Sequence, residues 1–394
     1  MSFKQHLARA SLSFFLLLYS PVSSTAPAMP THDSANQNLV QETTVQETIV
    51  KKKLYEISEI RGLYLHAWSV KKQKKIEDLV QNMKETGMNT VVLDIKSNAG
   101  EVLFKTPGSM AEKIGSEYDA LGNLEELVKR FHEQKIYVIA RQVVFNDPIL
   151  IKKKPKLGIL DSAKNIWSGE MSNRIVPWAD PFSEDVKNYN FEVMENACKA
   201  GVDEIQFDYI RFPAKKDLVY TYQKEDIPKV EVLKNFLEQA KQICTKYDVK
   251  LGLDIFGFSI INQGDLGVGH SFAELIPYLD VISPMLYPSH YSPGNFGFQK
   301  PQDEPFQVIS KSMAKAHELV AGKCLVRPWI QSFGWNTPTF SEQYIINEIR
   351  GVLAGGSNSF LVWNAESNYE ILFKALKNAK PSDFVGNLKP LGLF

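Results

Sequence analysis

The fold class this sequence predicts is α/β: a (β/α)8 TIM barrel with long βα loops after strands three and four. Three observations predict it. From Arg61 onward, eight strand-like runs alternate with eight amphipathic, helix-like runs, the count of that barrel. The helix-like runs are bounded by start and stop residues of the expected kinds. A doubly wound open sheet, the main alternative, usually carries a glycine-rich phosphate loop after its first strand, and none follows Trp68.

The strand candidates are residues 62–68, 90–97, 136–145, 204–212, 250–258, 281–287, 324–333 and 359–364. Helical patterns occupy 74–86, 124–134, 183–200, 230–247, 272–279, 306–321, 341–353 and 369–377. Ser183 is placed to cap the helix after Pro181, with Glu184 and Asp185 in its first turn, where acidic side chains favour the helix dipole. Gly87 and Gly201 follow helical runs, where a left-handed cap is wanted. The connections 146–180 and 214–229 are long, and both leave the C-terminal end of a strand. Such loops are usually functional or disordered. Trp167, Trp178, Tyr220 and Tyr222 lie in them and suit the walls of a binding cleft. The basic run 152–156 reads as solvated surface.

Residues 1–26 read as a signal peptide or N-terminal anchor. Lys4 and Arg9 precede an apolar run over 12–19, followed by small residues around 23–28. The run is short for a membrane span. The expected location is therefore exported: periplasmic, cell-envelope or extracellular, with an uncleaved anchor as the alternative. Residues 27–56 are polar and read as a disordered linker, leaving 57–394 for the barrel. Lys plus Arg and Asp plus Glu both number 45. Zero net charge argues against a nucleic acid held by bulk electrostatics and for an uncharged polymer or a small molecule. Cys198, Cys244 and Cys324 are odd in number and widely spaced, which argues against a disulfide framework or a zinc knuckle. No cofactor is expected.

The segment 201–213 is the most informative. An apolar strand ends in Asp208, Tyr209 and Arg211 before Pro213 stops it. A carboxylate at such a strand end costs free energy unless it is paired or used, and the C-terminal ends of barrel strands are where chemistry sits. Side chains alternate along a strand. Asp94 and Lys96 therefore share a face, as do Gln206 and Asp208; so do Tyr64, His66 and Trp68, and likewise Arg327, Trp329 and Gln331. Asp254 stands alone among apolar neighbours. Facing inward, these residues form a polar and aromatic ring at one mouth.

That ring suits glycoside hydrolysis, which needs one carboxylic acid and one carboxylate across the scissile bond. Asp208 and Asp254 are the expected catalytic pair, with Asp94 in reserve. Asp208 is expected to be nucleophile or base, kept ionised and oriented by Arg211 and Tyr209. Asp254, in apolar surroundings, is expected to be the acid. The expected substrate-binding residues are Asp94, Lys96, Tyr64, His66, Tyr209, Arg211, Tyr287, His290, Trp329, Gln331, Trp363 and Glu366, and the expected partner is a polysaccharide or oligosaccharide. Structural readings stand beside these. Lys96 could simply pair with Asp94; Asp203 and Glu204, at the other end of their strand, read as structural; Trp329, Trp335 and Trp363 are core or platform. A non-catalytic carbohydrate-binding barrel is the rival. A metal-dependent hydrolase using Asp94, Asp208, Asp254 and His290 ranks below it, because no H-x-H or H-E-x-x-H pattern is present.

The motifs at 61–64, 93–96, 203–213 and 282–291, with 178–181 and 254–257, resemble the "putative glycosyl hydrolase domain" family over about residues 61–372. The resemblance implies a glycosidase-type barrel, distantly similar to retaining enzymes with a strand-four carboxylate. It implies no particular substrate.

Overall fold

A computed structural model describes residues 56–171, 174–262 and 265–384. The expected signal and nearly all of the expected linker lie outside the described residues.

Eight parallel strands close into a barrel: β1 (Arg61–Leu65), β2 (Thr90–Lys96), β3 (Tyr137–Val143), β4 (Glu204–Asp208), β5 (Lys250–Phe256), β6 (Val281–Met285), β7 (Leu325–Val326 with Trp329–Gln331) and β8 (Phe360–Trp363). Pro328 interrupts β7, since a proline has no N–H to give to the ladder. Its first half pairs with β6 and its second half with β8 and Met285. The ring closes where β1 pairs with β8 in register Leu63 to Val362. The surrounding helices are α1 (Gln73–Glu85), α2 (Leu124–Glu133), α3 (Glu184–Lys199), α4 (Lys229–Lys246), α5 (Phe272–Leu275), α6 (Pro305–Val320), α7 (Glu342–Ala354) and α8 (Glu370–Asn378). The predicted helix ends are present: Ser183 accepts a hydrogen bond from the Val186 N–H, and Gly87 and Gly201 have φ of 65° and 88°.

Several strands stop short of the apolar run that announced them. The first ends at Leu65, and a 3-10 turn over Ala67–Ser69 leaves Trp68 exposed. The fourth ends at Asp208 because Tyr209 turns into the left-handed region at φ 52°. The fifth helix continues only as a 3-10 turn through Pro277. Residues 97–123 form a third long connection, unforeseen, around a short helix, Met110–Ile114, capped by Ser109. The two predicted long loops act as one wall. Leu160 and Val219 exchange backbone hydrogen bonds of 3.0 and 2.8 Å. Asp180 accepts from the Phe182 and Tyr222 N–H groups at 3.0 and 3.2 Å. The first loop also carries a hairpin, Ser168–Met171 against Arg174–Pro177.

The larger apolar core lies between strands and helices; a smaller one, with Tyr64, Val92, Ile139, Tyr287 and Trp329, fills the barrel. Its lower end is closed by an ion pair. Arg327 Nη1 donates to both Glu204 oxygens at 2.8 and 2.9 Å, Nε to Ser359 Oγ and Nη2 to the Ile57 carbonyl. Gly252 makes room for it, because a Cβ there would stand 2.8 Å from Glu204 Oε1. Asp203 binds His132 Nε2 at 2.7 Å and the Val138 N–H at 2.8 Å. Asp203 and Glu204 are structural, as expected. Arg327 belongs to this floor and not to the upper ring.

Removing one member of a buried pair strands the other charge. Arg327→Met should therefore cost about 3–5 kcal/mol of unfolding free energy in urea melts, and adding Glu204→Gln should recover most of that loss.

Candidate active site

Four strands bring their upper ends to one guanidinium. Arg141, from β3, donates through Nη1 to Asp94 Oδ1 of β2 and through Nη2 to Asp208 Oδ2 of β4, both at 2.5 Å. Its Nε lies 3.7 Å from Asp254 Oδ2 of β5. Trp363 of β8 stacks over it, 5.3 Å from ring centre to Cζ. Tyr64 O–H donates to Asp94 Oδ2 at 2.7 Å. Asp208 Oδ1 accepts from the Tyr209 N–H at 2.7 Å, a bond that the left-handed turn at Tyr209 puts in place. Burial opposes the charge on Arg141, but Asp94, Asp208 and Asp254 outweigh it and hold the guanidinium well above its usual range.

Asp254 sits deeper and is only 2% exposed. Its Oδ1 accepts from Gln206 Nε2 at 2.5 Å and Trp329 Nε1 at 2.6 Å. Burial first, and then the neighbouring Asp208 charge, push its carboxyl well above the usual range, against the pull of Arg141, Trp329 and Gln206. With both hydrogen bonds on Oδ1, the proton belongs on Oδ2. The Arg141 contact to that oxygen is too long for a hydrogen bond.

Above this cluster a cleft of about 700 Å³ opens among the loops that follow β4 to β7, lined by Asp208, Arg211, Phe256, His290, Trp335 and Asn336. Trp335 stands 65% exposed at its rim. His270 also faces it, its Nε2 2.9 Å from the Ile210 carbonyl. Burial lowers the imidazole to about 4, so His270 is neutral at physiological pH.

Asp94, Asp208, Asp254, Tyr64, Tyr209, Trp329 and Trp363 are thus gathered at one mouth, and Tyr287 packs beside them in the barrel interior. His290 lies in the cleft wall, edge-on to Tyr287 and Trp335. His66 and Glu366 are exposed on the loops after β1 and β8.

Three expectations are corrected. Lys96 does not share a face with Asp94: the β2–β3 register shifts between them, pairing Asp94 with Arg141 but Lys96 with Gln142. A β-bulge of this kind reverses side-chain direction. Lys96 points into the helix layer, fully buried, 2.7 Å from Asp147 Oδ2 and 2.9 Å from Asn190 Oδ1. Gln331 is spent on the loops: it accepts from the Ser289 N–H and donates to the Phe333 carbonyl and Thr337 Oγ1. Arg211 does not hold Asp208; Arg141 does. Sequence reasoning missed Arg141, although a charged residue inside the apolar run 136–145 is the same signal that picked out Asp254.

Residues 62–369 match the family described as "Putative glycosyl hydrolase domain". The chain belongs to that family. Among solved structures, the glycoside hydrolase domain of PgaB (BpsB) from Bordetella bronchiseptica superposes with a TM-score of 0.60 at 14% identity, covering 82% of this chain and 98% of that one. Alpha-L-fucosidase isoenzyme 2 from Paenibacillus thiaminolyticus gives 0.56 at 14% identity, over 80% of this chain and 48% of that one. The GH20 exo beta-N-acetylglucosaminidase from Vibrio harveyi gives 0.52 at 11% identity, over 83% and 56%. At these identities the likeness is one of fold. No curated protein matches the chain. For this family member, then, the barrel is common ground with glycoside hydrolases, and the chemistry must be argued from the carboxylate cluster.

The raised carboxyl of Asp254 has a consequence for stability. Between the ordinary carboxylate range and its own raised value, the folded protein holds a proton that the unfolded chain has lost. Stability therefore falls by about 1.4 kcal/mol per pH unit across that window. Asp254→Asn mimics the protonated acid and keeps both hydrogen bonds on Oδ1. Urea midpoints measured from pH 4 upward should show the variant gaining on the parent as pH rises; parallel curves would contradict the assignment.

Proposed function

We propose that this barrel is a glycoside hydrolase acting on a polysaccharide or glycan, with Asp208 and Asp254 as its two carboxylates. The observation that carries the proposal is their pairing on one guanidinium: Asp208 opens on the cleft, while Asp254 stands beside it with a raised affinity for its proton. This is the asymmetry the reaction needs. Asp208 is the nucleophile or base that meets the sugar. Asp254 is the acid, its Oδ2 proton free of any hydrogen bond from Arg141. Arg141 touches no bond being broken; it is the positioning residue that fixes Asp208 through Nη2. Exposed Trp335 offers an apolar platform to a sugar face at the rim. Substrate reach on an envelope or extracellular polymer fits the export signal expected over residues 1–26.

A metal-dependent mechanism is less well supported. Among the described residues, no group of three or more His, Cys, Asp or Glu could hold a metal ion. The space between Asp94, Asp208 and Asp254 already holds the Arg141 guanidinium.

A panel of cell-wall and exopolysaccharide glycans, read by released reducing ends, tests the proposal. Asp208→Asn should keep its circular dichroism spectrum and lose at least about 100-fold in turnover. Unchanged cleavage by that folded variant would remove Asp208 from the reaction.

A further inference from the structure

Two arginines of this barrel show what a satisfied and an unsatisfied guanidinium look like. Arg327, on the floor, spends Nε, Nη1 and Nη2 on Ser359, Glu204 and the Ile57 carbonyl. Arg211, in the cleft wall, makes one long hydrogen bond, Nη1 to the Phe212 carbonyl at 3.4 Å, and no ion pair among the described residues. Its obvious partner is already engaged: Asp208 takes Arg141 on Oδ2 and the Tyr209 N–H on Oδ1.

Instead the Arg211 guanidinium is held by rings. Trp178 and Phe256 lie 4.8 Å from its Cζ, and Tyr209 lies 5.3 Å away. Stacking of this kind fixes the plane of the fork while leaving its edge N–H groups free. None of its nitrogens is both buried and unbonded among the described residues, so those donors open on the cleft. A planar, pre-oriented fork is suited to bind an oxyanion through two parallel hydrogen bonds. Drawing a cation out of water is costly, and burial pulls Arg211 below its usual range against the opposing pull of Tyr209 and Asp208. An anion arriving with the substrate would offset that cost.

We propose that the cleft selects an acidic glycan, and that Arg211 receives the oxyanion, a uronate carboxylate or a sulfate ester, on the sugar bound beside Asp208. This rests on the hydrolase reading and adds a substrate class to it. It also refines the expectation of an uncharged polymer, which came from the net charge of the whole chain; one cation without an ion pair in a cleft leaves that sum untouched. Arg211 is the residue placed to answer the charge of that oxyanion at the cleft wall.

The test uses the full-length Asp208→Asn protein, which binds without cleaving, and isothermal titration with oligogalacturonate, a sulfated oligosaccharide and a neutral oligosaccharide of equal length. At least one acidic probe should bind about 10-fold or more tightly than the neutral one, a gap of about 1.4 kcal/mol. Raising salt should weaken that binding only. Arg211→Gln in the same background should abolish the preference, and Arg211→Lys, which keeps the charge but loses the fork, should restore part of it. Which acidic probe wins separates carboxylate from sulfate. Equal binding of all three probes, or a preference untouched by Arg211→Gln, overturns the proposal. If the wild-type chain cleaves only neutral glycans, the hydrolase reading stands and the acidic one falls. If none of the probes is bound, the acidic reading falls, while the hydrolase reading is decided by the wider glycan panel.

Discussion

The upper half of this barrel depends on a single buried guanidinium. Arg141 joins side chains from β2, β4 and β5 and lies beneath a ring from β8. Burying a charge is tolerable only when it is paired and hydrogen-bonded. Here the pairing is lopsided: three carboxyl groups face one cation. Placing the proton on Asp254 relieves that excess, and both its burial and the nearby Asp208 charge oppose its ionisation. Two chemically identical side chains thereby stand in different surroundings, set by depth and by the charge of the neighbour.

The lower half solves a different problem with the same parts. Glu204 and Arg327 form a saturated pair with no opening to solvent, and Gly252 yields the space it occupies. A closed pair of this kind ties β4 to β7 across the barrel interior. Along β4, residue 204 serves the floor, 206 steadies Asp254 and 208 meets the cleft. One strand, at a spacing of two, thus connects stability to chemistry.

Much of this was legible in the sequence, for identifiable reasons. Strand and helix runs differ in apolar periodicity, so all eight pairs could be found from pattern alone even where an element is short. Asp208 and Asp254 stood out because a carboxylate in an apolar run is costly unless it is paired or used, and the structure brings both beside Arg141. Lys96 misled because face parity assumes an unbroken pleat, and the bulge after Asp94 breaks it. Gln331 misled because its strand ends in loops whose backbone groups claimed it. Arg211 sits beyond the left-handed turn at Tyr209, where alternation no longer places side chains. Arg141 carried the same signal as Asp254, a charged residue inside an apolar run, but that signal does not name its partners; its burial against three carboxyl groups does.

The account stands or falls on Arg141. Arg141→Gln, compared with the parent for glycan cleavage across pH and by crystal structure, is the most direct measurement. The account predicts a folded barrel in which the Asp208 side chain leaves its present position, turnover collapses and the pH profile shifts. A variant that keeps Asp208 in place and cleaves glycan at the parental rate with the parental pH profile would contradict it.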